Sequence, residues 1–117
     1  MMKIRTIYQK VQSMEAARFF WESFLSLKPS KSSSKWCSFQ LENVTFALLL
    51  NDFGDDLKGS NAVPVFELPD SEIGKALNKA KALSCTVVLD GLLNPDMQSI
   101  VLKDPCGNEF EISKIHI

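Results

Sequence analysis

The sequence predicts an α+β fold made of two paired βαβββ modules that form one curved mixed sheet. Two observations predict it. The order strand, helix, three strands runs through residues 1–50 and returns in residues 62–117, a period of about 60 residues within a chain of 117. The second observation is burial: a four-stranded sheet with one helix has only one covered face, and pairing two such modules gives the other face a partner surface. That pairing places the helices outside and encloses a concave cleft, where small-molecule sites form.

The first ten residues, MMKIRTIYQK, mix Ile4, Ile7 and Tyr8 ahead of Val11 and read as a strand. Ser13 is placed to cap a helix, with Glu15 in its first turn and Lys28 near its end. Ala17, Phe20, Phe24 and Leu27 recur at spacings of three and four, which gives an amphipathic helix of about four turns whose stripe belongs in the core. Residues 29–35, PSKSSSK, offer nothing to bury and read as a polar loop that blurs the next strand. Residues 36–41 alternate Cys37, Phe39 and Leu41 against Trp36, Ser38 and Gln40, and Glu42-Asn43 turns them into the strand 44–50.

Residues 51–61, NDFGDDLKGSN, read as a linker; Asp52, Asp55 and Asp56 lack the spacing and terminal Glu of a calcium loop. Residues 62–68 read as a strand, and Pro69 to Glu72 start a helix that buries Ile73, Ala76, Leu77, Ala80 and Leu83. Residues 85–89, 97–102 and 109–112 complete the second set of strands, the last two joined by the turn Asp104-Pro105-Cys106-Gly107.

Composition narrows the function. A hydrophobic fraction of 45%, a charged fraction of 23% and a net charge of −1 describe a soluble globular protein with no basic stripe, so a nucleic-acid partner is not expected. No apolar run approaches the roughly 20 residues of a membrane span and no leader pattern is evident, so no membrane partner and a cytoplasmic location are expected. Cys37, Cys85 and Cys106 are odd in number and widely spaced, which fits reduced thiols.

Residues 13–27 resemble the D-x-x-x-A-x-x-F-Y-x-x-x-L-G-L signature of the vicinal oxygen chelate superfamily, which holds glyoxalase I, extradiol dioxygenases and the fosfomycin and bleomycin resistance proteins. The segment DPCGNEFEI, residues 104–112, is similar to that group's D-P-D-G-N-x-x-E-L, and Glu67 to Asp70 with Ala80 to Ser84 match the second module. The resemblance spans essentially the whole chain and implies the glyoxalase/bleomycin resistance/dioxygenase type of fold and a homodimer. It also implies a divalent metal held by one His, Glu or Gln from each of four inner strands. Here those positions are Thr6, Ala47, Val63 and Glu111, and only Glu111 has ligand chemistry. Substitutes would have to come from Glu42, Glu67, Glu109 or His116, so no metal or other cofactor is expected. Ser26 and Ser84 stand where the group has helix-ending glycines, Ser13 replaces its capping Asp, and Cys106 replaces the acid of its turn.

Strand parity turns Phe39, Phe46, Phe66, Phe110 and Ile112 toward the helices. Thr6, Tyr8, Trp36, Ser38, Gln40, Ala47, Leu49, Val63, Val65, Met97, Ser99, Val101, Glu109 and Glu111 then face the cleft. Of these, Tyr8, Trp36, Gln40, Leu49, Val65, Met97 and Glu111 are the candidate ligand-binding residues. Apolar walls with an indole, a phenol, hydroxyls and a carboxylate suit an organic molecule with an amine or hydroxyl group, and an anionic ligand is disfavoured. The expected function is sequestration of a small organic compound without metal. The alternatives are a lactoylglutathione lyase-like enzyme or dioxygenase using unusual ligands, and a non-catalytic scaffold. No catalytic residue is assigned: Cys106 has no neighbouring base in sequence and His116 lies at the tail.

Overall fold

The computed structural model describes residues 2–52, 54 and 62–115; His116, Asp55 and Asp56 lie outside them. The chain forms two compact units, Met1–Ala62 and Val63–Ile117. The first contains β1 (Thr6–Val11), α1 (Met14–Leu25), β2 (Lys31–Ser32), β3 (Trp36–Gln40) and β4 (Thr45–Leu50). The second contains β5 (Val65–Leu68), α2 (Asp70–Ala82), β6 (Thr86–Gly91), β7 (Ser99–Lys103) and β8 (Glu109–Lys114). Their sheets run β1-β4-β3-β2 and β5-β8-β7-β6, so the same topology is built twice. In each, the first strand lies parallel to the last and the remaining pairs are antiparallel.

In the first unit Ser13 Oγ accepts from Ala16 N at 3.3 Å and starts α1. Met14, Ala17, Phe20 and Trp21 are its buried face. Trp21 is fully buried, with its ring 4.7 Å from Phe46 and 4.9 Å from Phe20, both edge-on. The helix ends at Leu25 because Ser26 turns left-handed, at φ 54°. Leu27 therefore lies beyond the helix and is exposed, which corrects the expected stripe, and Trp21, which that stripe omitted, is buried beside Phe20.

The second correction is β2, a short edge strand inside the segment read as a polar loop. Its ladder pairs Lys31 with Ser38 and Ser32 with Cys37, and Ser30 N donates to Ser38 O at 2.7 Å. Exposed on both faces, it has no apolar alternation to betray it.

In the second unit Ile73 and Ala80 pack α2 over Ile100, Leu102, Phe110 and Ile112, all buried. The helix stops in a six-residue closure: Cys85 N donates to Ala80 O at 3.0 Å and Ser84 N to Lys81 O at 3.1 Å, with Ser84 left-handed at φ 69°. β5 begins at Val65, so Val63 precedes the strand. β7 begins at Ser99, so Met97 lies in the preceding turn rather than in a strand. Met97 folds over Gly91, where a Cβ would overlap its sulfur and lie 3.0 Å from Ser99 O. Among the described residues no helix is long and apolar enough to cross a membrane.

Candidate functional site

The strand register decides which predicted residues share a face. In the first unit Tyr8 lies opposite Ala47, Ala47 opposite Ser38, and Leu49 opposite Trp36 and Lys10. Thr6, Tyr8, Trp36, Ser38, Gln40, Ala47 and Leu49 therefore occupy the sheet face away from α1, while Phe39, Phe46 and Leu48 pack beneath the helix. The rings of Tyr8 and Trp36 reach across the intervening strand to 5.9 Å, tilted by 58°. With Thr6 and Arg5 they line a cavity of about 450 Å³.

Local hydrogen bonds set these side chains in place. Trp36 is pinned at the start of β3 by Ser33, whose backbone N donates to Trp36 O at 2.7 Å and whose hydroxyl accepts from Trp36 N at 3.1 Å. Thr45 N donates to Arg5 O at 3.0 Å, which extends the β1–β4 ladder one residue before Thr6 and carries Arg5 to the cavity. Gln40 is committed elsewhere: its Oε1 accepts from Thr45 Oγ1 at 2.8 Å and its Nε2 donates to Leu41 O at 3.0 Å. Gln40 and Leu49 do not line the cavity.

In the second unit one row runs Val65, Glu111, Val101, Leu89. Glu111 is the third residue of β8 as Ala47 is the third of β4, so the two hold equivalent places in their units. Buried Ser99 donates to Glu111 Oε1 at 2.6 Å, a short charge-assisted bond that fixes the carboxylate and leaves Oε2 without a protein donor among the described residues. Glu109 stands opposite Lys103.

The donor chemistry at the four positions implied by the resemblance does not fit a divalent cation. Thr6 and Ala47 supply a hydroxyl and a methyl in one unit, Val63 and Glu111 an isopropyl and one carboxylate already bonded to Ser99 in the other. Among the described residues no three His, Cys, Asp or Glu side chains gather to hold a metal. The thiols are poor nucleophiles: burial raises Cys37, pushes Cys85 up to about 12 with help from the Asp104 charge, and raises Cys106 in the same way.

A larger cavity of about 550 Å³ lies between α1 and the serine-rich segment. Its one arginine, Arg18, is spent on Glu22 at 3.1 Å and Ser32 at 2.7 Å. The Tyr8–Trp36 cavity retains unspent recognition groups. Parity reading found Thr6, Tyr8 and Trp36 but missed Arg5, which precedes the strand, and Ser99 as the partner of Glu111.

This architecture is shared with solved structures of the vicinal oxygen chelate type, which establishes the fold expected from the sequence. A glyoxalase-related enzyme from Fulvimarina pelagi is 13% identical, with a TM-score of 0.81 over 98% of this chain and 89% of its own. The fosfomycin resistance protein FosX from Listeria monocytogenes is 14% identical, with a TM-score of 0.81 over 100% of this chain and 94% of its own. A lactoylglutathione lyase from Agrobacterium tumefaciens is 17% identical, with a TM-score of 0.70 over 96% of this chain and 92% of its own. No protein-family profile matches the chain, and no curated protein sequence is similar to it.

Proposed function

We propose that this protein binds a small, largely apolar organic molecule without a metal ion and thereby removes it from solution. The observation that carries the reading is the cavity lined by Thr6, Tyr8 and Trp36, where two aromatic rings 5.9 Å apart offer apolar faces with polar tips. In the second unit, Glu111 keeps one oxygen for a hydroxyl or amine donor while Ser99 holds the other. The donor set at Thr6, Ala47, Val63 and Glu111 supports metal independence, since one carboxylate competes poorly with water for a divalent ion. Sequestration in a cytoplasmic homodimer completes the reading. The dimer is supported by β6, which among the described residues pairs only with β7 and exposes Val87, Val88 and Leu89.

Two titrations test it. Calorimetry with Zn²⁺, Ni²⁺, Mn²⁺ and Fe²⁺ is expected to give no stoichiometric binding; micromolar or tighter binding that disappears in Glu111→Ala would overturn metal independence. A thermal-shift screen of aromatic and glycopeptide compounds is expected to yield ligands that, at 100 times their Kd, add about 2.7 kcal/mol of stability. A broad library without a single response would favour the scaffold alternative.

A further inference from the structure

The cavity that holds Tyr8 and Trp36 counts one cationic residue in its lining, which strand parity did not anticipate. Arg5 lines it together with Thr6 and the two rings, and no acidic side chain is among its walls. Two other cations of the first unit are paired with carboxylates, Arg18 with Glu22 at 3.1 Å and Lys35 with Asp52 at 2.9 Å. Among the described residues no carboxylate pairs with the Arg5 guanidinium. Its backbone, by contrast, is fixed, because Arg5 O accepts from Thr45 N at 3.0 Å.

We propose that the Arg5–Thr6–Tyr8–Trp36 cavity selects flat apolar molecules that carry a carboxylate, with the apolar body against the two rings and the carboxylate on the Arg5 guanidinium. This rests on the small-molecule reading given above and reverses the ligand charge expected from the sequence. The match is geometric. A guanidinium presents parallel N–H donors at the spacing of two carboxylate oxygens, and a single arginine suits a single negative charge. The Thr6 hydroxyl, on the strand face it shares with Tyr8, supplies a further donor. An amine would meet a like charge at that wall, and a neutral ligand would leave the guanidinium unused.

The test uses three probes of one shape and different charge: 3-phenylpropanoate, 3-phenylpropanamide and 3-phenylpropylamine. Each is titrated into the full chain with backbone amide shifts as readout, in wild type and Arg5→Gln. Arg5 is exposed and without an acidic partner, so the variant keeps its fold. The proposal expects shifts centred on Thr6, Tyr8 and Trp36. It expects the acid to bind about tenfold more tightly than the amide, a gap that closes in Arg5→Gln. Equal affinity for acid and amide, tighter binding of the amine, or a gap that survives Arg5→Gln overturns the carboxylate preference while leaving small-molecule binding intact. No shift at Tyr8 or Trp36 with any of the three overturns both.

Discussion

Ser84 shows how one residue records the chain's departure from the pattern it resembles. The closure of α2 requires a left-handed residue between Lys81 and Cys85, and Ser84 adopts φ 69° there at a steric cost that glycine avoids. Ser84→Gly is expected to raise stability by about 1 kcal/mol in denaturant melts, with the helix end unchanged. Asp104 gives a second residue-scale expectation. Burial raises its carboxyl above the ordinary 3.8, against the pull of backbone donors from Asn108 and Cys106, each at 2.9 Å to Oδ1. A raised folded value means that folding favours the protonated form. The contribution is present below the unfolded value and is lost as pH rises through the folded one. Asp104→Asn keeps the acceptor and removes the titration, so its stability relative to wild type should increase between acid and neutral pH. A difference that stays constant with pH contradicts this. At this scale the sequence revealed Ala47 and Glu111 as equivalents, because the Phe46 and Phe110 beside them anchor the alignment. Arg5 escaped notice because alternation says nothing of a residue one step outside the strand, and the Ser99–Glu111 bond because it depends on cross-strand register.

Elements with an apolar period were legible: α1 from Ala17 and Phe20, β3 from Cys37 and Phe39, β4 and β8 from their phenylalanines. Those held by polar bonds were not. β2 is maintained by ladder and serine hydrogen bonds, and the same serine segment positions Trp36 through Ser33. Met97 looked like a strand residue by its neighbours, yet it turns back over Gly91 before β7 begins. Gly91→Ala is therefore expected to cost about 1 kcal/mol, since the new methyl must displace the Met97 side chain and crowd Ser99 O. Pairing it with Met97→Ala should recover part of that loss in a double-mutant cycle, and strictly additive effects would show that the two do not touch.

For the whole molecule, the repeat was the most informative feature, because one topology written twice needs only one half to be read well. Aligning the last hairpin of the second copy, β7–β8, on β3–β4 of the first matched Glu111 to Ala47, while β2, the counterpart of β6, stayed unread. The fold followed, and structural neighbours of 13–17% identity share it. Fold does not by itself carry chemistry: Thr6, Ala47 and Val63 stand at three of the four positions where the resemblance implies metal ligands. What remains is an aromatic cavity in one unit and an oriented carboxylate in the other. The most direct measurement is calorimetric titration of a thermal-shift ligand into chelator-treated protein, wild type beside Trp36→Ala. The account predicts the same affinity with and without chelator, and a loss of tenfold or more in Trp36→Ala, as truncation of a central aromatic contact costs about 2 kcal/mol. Binding that requires an added divalent ion, or that survives Trp36→Ala unchanged, would contradict it.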